Sequence, residues 1–220
     1  MSARVIEVDP ERLDRWLAGF ADRHGPFDAT REETPGGAVI RATAADGSSI
    51  VATPFAHEPV GVILVRRGGY AVGLASAGTL TASKVGTRHV QSRTAAGGWS
   101  QQRFARRRGK QADELVDAVV AHSRRVLLGE YADPGTGRGY SGAQAARGRE
   151  LPRVGVPRAL VVGGDRMLVR EVLDASALRA LAGLPLRELY DLPDPKRPVL
   201  LDAVRRGRAV RVELVEPDVS

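Results

Sequence analysis

The chain has 220 residues with no cysteine, 43% hydrophobic residues and a net charge of +7. That length can bury a real core in one domain of ordinary size, and the missing thiols exclude disulfides and thiolate metal sites. No stretch approaches the roughly 18 apolar residues that a membrane span requires, so the expectation is a cytoplasmic protein with no membrane partner.

Asp9 followed by Pro10 reads as a helix start, an N-cap acceptor with proline at the first helical position. Leu13, Trp16, Leu17 and Phe20 then recur at helical spacing and make one apolar face, which assigns Trp16 to the core. His24-Gly25-Pro26 ends that helix. From Gly37 the pattern turns to strands. Ala38 to Thr43 and Ser49 to Thr53 flank an Asp46-Gly47 turn, and Val60 to Arg67 and Tyr70 to Ala75 flank Gly68-Gly69, which gives two hairpins. The run GVILVRR is almost continuously apolar and predicts a central strand covered on both faces.

A further strand, roughly 83–93, leads to the Gly97-Gly98 loop, and helical signal resumes at Gln101 and continues to Leu128. Phe104, Leu115, Val116, Val119, Val120 and Leu127 supply its buried face. Residues 131–151 lack apolar periodicity and read as a long loop, the one plausible seam in the chain. Beyond it strand and helix alternate: strand 158–162, helix 165–173, a short helix 177–181, strand 186–189, helix 198–206 and strand 209–215. Alternation of this kind implies parallel pairing. The fold class expected is α/β, a single domain over 1–220 in which helices pack on one mixed sheet.

The charge is unevenly placed. Between Pro59 and Ala112 there is no Asp or Glu, while Arg66, Arg67, Lys84, Arg88, Arg93, Arg103, Arg106, Arg107, Arg108 and Lys110 give the segment +10. Such a block is the footprint of a nucleic-acid partner; the competing reading is a solvated face in an arginine-rich chain. Five of these cations stand in the first turns of the long helix, where the helix dipole disfavours them by a few tenths of a kcal/mol each.

Chemistry is sparse. His24, His57, His89 and His122 are scattered without metal-ligand spacing, and His122 reads as structural. Paired carboxylates, which a two-metal nuclease needs, are missing from the basic segment. GTGRGY lacks the lysine and hydroxyl of a nucleotide loop, and Gly98-Trp99-Ser100-Gln101 lacks the second glycine of a serine-nucleophile elbow. What remains is Gly97, Gly98 and Gln101 on a basic loop. A glutamine amide does not titrate, but it orients a water and donates hydrogen bonds to a developing oxyanion. The alternative is a plain turn followed by a helix start.

GGWSQQRFARRR, with VGTRHVQSR before it and ALVVGGDRMLVREVL after it, resembles the Vms-like release factors of actinobacteria. These are peptidyl-tRNA hydrolases related to the catalytic middle domain of eukaryotic and archaeal class I release factors. The resemblance implies a middle-domain-like fold with a long glutamine-bearing loop leading into a long helix. It also implies insertion of that loop into the peptidyl transferase centre of the large ribosomal subunit, where water cleaves the peptide ester of peptidyl-tRNA on stalled complexes. Gly97 and Gly98 would be the loop glycines and Gln101 the catalytic glutamine, with Gln102 as fallback. Release factors place glutamine directly after two glycines; here Trp99 and Ser100 intervene, in the Gly-X-X-Gln form of the Vms-like relatives. Arg93, Arg103, Arg106, Arg107, Arg108 and Lys110 are assigned to ribosomal or transfer RNA on charge, and Trp99 either stacks on a base or packs against the loop's own base. No metal or cofactor is expected. The alternative function is a non-catalytic ribosome- or RNA-binding module.

Overall fold

The computed structural model describes residues 2–87, 100–129, 131–132, 139–140 and 156–217. Its strands are β1 (Ser2–Val8), β2 (Phe27–Thr34), β3 (Gly37–Ala44), β4 (Ser49–Thr53), β5 (Val60–Arg66), β6 (Gly69–Ser76), β7 (Thr79–Thr87), β8 (Tyr131–Ala132), β9 (Gly139–Tyr140), β10 (Ala159–Gly164), β11 (Leu186–Leu189) and β12 (Val210–Glu216). Its helices are α1 (Leu13–His24), α2 (Ser100–Leu127), α3 (Arg166–Leu173) and α4 (Arg197–Arg208). The chain forms two compact units, one from residues 1–57 with 205–220 and the other from 58–204.

The first unit holds an antiparallel sheet in the order β1-β12-β4-β3-β2. Val210, Val212 and Leu214 alternate with more exposed neighbours along β12 and are buried against Ile40, Ala42, Ile50 and Ala52. Leu17 and Phe20 of α1 are buried in the same cluster, with Leu13 and Trp16 packed at its margin, as helical spacing requires. The β3–β4 turn is held by Asp46, whose carboxylate accepts from the Ser48 amide at 2.8 Å and the Ser48 hydroxyl at 3.1 Å, while Gly47 takes φ 86°. Asp9 departs from expectation. It heads a 3-10 turn, Pro10–Arg12, without capping it, and α1 begins only at Leu13; the Asp9 carboxylate instead lies 3.4 Å from Arg205.

The second unit is built on a mixed sheet in the order β11-β10-β5-β6-β7. β5, β10 and β11 run parallel; β5, β6 and β7 form an antiparallel meander. Every residue of β5 up to Val65 is buried, because helices cover both faces. Ile63, Val65, Val72 and Leu74 cluster with Leu115, Val119 and Leu127 of α2 and with Leu168, Val169 and Val172 of α3. On the opposite face Leu200 of α4 comes so close that a Cβ at Gly73 would lie 3.2 Å from it. The expected central strand, its hairpin with β6 and the parallel pairing are all present.

The fold is α/β as expected, but the strands form two five-stranded sheets and not one, with β8 and β9 paired separately. The expected strand at 209–215 is where the difference arises: β12 pairs antiparallel with β1 and β4. Its one-sided alternation suits a sheet with one wet face, whereas the continuous apolar run of β5 suits a sheet covered on both.

Candidate functional site

The register places one edge of the mixed sheet at the exit of the glutamine segment. Thr87, the last residue of β7, pairs with Gly69; Arg66 pairs with Gly69, Val65 with Gly164, and Gly163 with Leu189. Since β5, β7, β10 and β11 all point the same way, β7 ends at Thr87 on the edge formed by the C-terminal ends of the parallel strands. That is where open α/β sheets carry their sites. The VVGG motif explains its own glycines here. A Cβ on Gly163 would strike the Leu189 carbonyl, and one on Gly164, at φ 104°, the Val65 carbonyl, so only glycine lets the three strands close up to this edge.

Two arginines of the basic block lie at this edge, Arg66 as the last residue of β5 and Arg67 in the turn to β6, beside Gly68, whose Cβ would come 3.5 Å from Asp194. Asp165 caps α3 on the same edge, accepting from the amides of Met167 at 3.0 Å and Leu168 at 3.3 Å. Arg166 stacks its guanidinium 4.2 Å over the ring of Tyr190, whose hydroxyl donates to Glu188 at 3.2 Å. Burial and the Glu188 charge hold that phenol above its ordinary range. The Arg166–Tyr190 platform escaped the sequence reading; Arg166 adjoins the VVGGD run, but nothing local signals a ring 24 positions on, across a parallel strand.

The helix α2 is divided along its length. Ser100 to Lys110 contains Arg103, Arg106, Arg107, Arg108 and Lys110, no acid, and Phe104 as its only large apolar residue. Asp113, Glu114 and Asp117 follow, exposed, while Leu115, Val119 and Leu127 are buried. At 1.5 Å per residue, Gln101 stands about 21 Å along the axis from Leu115. The packed half is anchored close to the exit strand: His122 stacks on Tyr70 with ring centroids 5.3 Å apart and 19° between planes. Tyr70 in turn lies so tightly over Gly86 that any Cβ there would collide with the ring. Burial, then the charges of Arg125 and Lys84, hold His122 below its ordinary pKa, and among the described residues its Nδ1 has no hydrogen-bond partner.

Of the residues singled out from sequence, Gln101, Gln102, Arg103, Arg106, Arg107 and Arg108 belong to the first turns of α2, and Lys110 is exposed there. Arg93, Gly97, Gly98 and Trp99 lie outside the described residues, as do most of 131–151. Among the described residues no three His, Asp or Glu side chains are grouped to hold a metal ion, and no helix is long and apolar enough to cross a membrane.

In a comparison with known families, the model of the Actinobacteria/chloroflexi VLRF1 release factor matches residues 58–213. No curated protein matches the chain.

Proposed function

The chain belongs to the Actinobacteria/chloroflexi VLRF1 release-factor family, and from that premise we propose that it is a peptidyl-tRNA hydrolase acting on ribosome-bound substrate. Its partners are then the large ribosomal subunit, ribosomal RNA and the peptidyl-tRNA of a stalled complex, a role in ribosome quality control. The observation that carries the proposal is the lengthwise division of α2. Its packed half is tied to the sheet through His122 and Tyr70, and its other end bears Gln101 among five cations without a compensating acid.

The cations draw the stem to RNA phosphate. Gln101 then orients a water through its amide oxygen and offers its N–H to the oxyanion that develops on the ester carbonyl. The water oxygen bonds to the carbonyl carbon, the bond to the terminal ribose oxygen breaks, and that oxygen leaves with the proton the water gives up. Gly97 and Gly98 allow the backbone to approach the tRNA end. Orientation and preorganised donors together supply several kcal/mol, about what an already activated ester needs.

The test is release of a labelled peptide from isolated large subunits by the wild type and by Gln101→Ala. A hydrolase loses release in the variant and still sediments with the subunit; a protein that never releases peptide is the binding module. Activity that survives Gln101→Ala but not Gln102→Ala moves the water to the neighbouring amide.

A further inference from the structure

The first unit carries a cavity of about 460 Å3 that the proposed hydrolase does not use. The edge strand β1 forms one side, Arg12 at the N-cap of α1 lies against it, and α1 contributes Arg15, Trp16, Gly19 and Arg23. Positions 12, 16, 19 and 23 fall on one helical stripe. Arg12 and Arg15 stand at the start of α1, the end where the helix dipole opposes cations.

The nearby acids do not neutralise these side chains, because the end of α4 has taken them. Glu7 holds Arg206 through both carboxylate oxygens at 2.8 and 3.0 Å, Asp9 lies 3.4 Å from Arg205, and Glu11 lies 2.7 Å from Arg208. Among the described residues no carboxylate comes within ion-pair distance of Arg12, Arg15 or Arg23, and all three are exposed. Trp16 is half-buried and held parallel to Phe20, centroids 6.0 Å apart and 9° between planes. Gly19 has no reason in the fold to be glycine. It sits mid-helix, where glycine is disfavoured, and an added Cβ would meet only the tip of Arg23 at 3.5 Å, so the helix backbone is open to close approach at this position.

We propose that this cavity binds single-stranded RNA, with Arg12, Arg15 and Arg23 on successive phosphates and a base against Trp16. Planar guanidinium forks suit phosphate, and a rigid aromatic ring beside them suits a base without regard to its sequence. An acidic polypeptide would satisfy the arginines but leave the indole unused.

The experiment measures anisotropy of a fluorescein-labelled single-stranded RNA across a salt series. The full chain carries Arg103→Gln, Arg106→Gln, Arg107→Gln and Arg108→Gln, so that binding by α2 is suppressed. This protein should still bind. Adding Arg12→Gln, Arg15→Gln and Arg23→Gln should flatten the log–log salt slope by about 2, at about 0.7 per phosphate. Trp16→Leu should weaken binding about tenfold while Trp16→Phe, which keeps both the ring and the packing on Phe20, largely preserves it. No binding in the first background, or a slope unmoved by the three α1 changes, overturns the proposal. Saturable binding of polyglutamate without RNA binding overturns it in favour of an acidic partner. Peptide release by Gln101 is read separately, so either result leaves the hydrolase proposal standing on its own test.

Discussion

The helices α1 and α2 are both amphipathic and both carry an arginine in the first turn, but they separate charge from core in different directions. In α1, 12 residues long, the arginines stand across the helix from Leu17 and Phe20, so charge and core share every turn. In α2, 28 residues long, Arg103, Arg106, Arg107 and Arg108 precede the acids Asp113 and Glu114 and the buried Leu115, Val119 and Leu127, and Arg124 and Arg125 stand in the last turn. Charge set across a helix lies on the surface of its unit; charge set along a helix is carried away from it by about 1.5 Å per residue. In the functions proposed above, the first arrangement receives a ligand and the second reaches for one.

The contrast is broken most severely at the tip of the stem. Gln101→Ala is expected to lower peptide release by about 10²–10³-fold, the usual loss when one oxyanion donor is removed, with subunit sedimentation unchanged. Equal loss of sedimentation would make Gln101 a binding residue. Next comes the packed half of α2. Leu115→Ala, at a site 1% exposed, should cost about 2–5 kcal/mol in urea unfolding, whereas Arg103→Ala on the stem should stay within about 0.5 kcal/mol. Similar costs at both positions would mean that the stem is packed.

Neutralising Arg106, Arg107 and Arg108 with glutamine should weaken RNA binding and reduce its salt slope by about 2 to 3. An unchanged slope places the phosphate contacts elsewhere. The smallest effect is on pH. Because burial holds His122 below its ordinary 6.5, the unfolded chain takes up its proton first as pH falls. Stability therefore declines as pH drops through about 6.5 and levels off once the folded imidazole also protonates. His122→Gln should flatten the Tm profile between about pH 7 and pH 5; a profile identical to wild type would remove His122 as the cause.

Much of this was legible in the chain. The continuous apolar run of β5, the Asp46-Gly47 turn, the apolar face of α1 and the long α2 follow from local spacing and appear where spacing put them. Besides the two-residue β8 and β9, which lie in the stretch read as a loop, two strands were not legible. β2, FDATREET, is an edge strand exposed along most of its length and has no apolar alternation to read; β1 is the other edge, with Val5 64% exposed. Edge strands are recognised by their partners, and their own residues are chosen in part to discourage further pairing. The cavity against α1 was hidden for a related reason. Arg12, Arg15 and Arg23 read as ordinary surface charge until Glu7, Asp9 and Glu11 are found engaged by Arg206, Arg205 and Arg208, nearly 200 residues away.

The sequence alone determined the helices, the buried central strand and the one-sided basic block, since each depends on residues within a few turns or a few strand positions of one another. Only the tertiary structure decided that β12 leaves the parallel layer to complete a second sheet, and which acids pair with which arginines. Strand partners and ion pairs are chosen between segments far apart in the chain, where burial and the competition for carboxylates settle what local propensity leaves open.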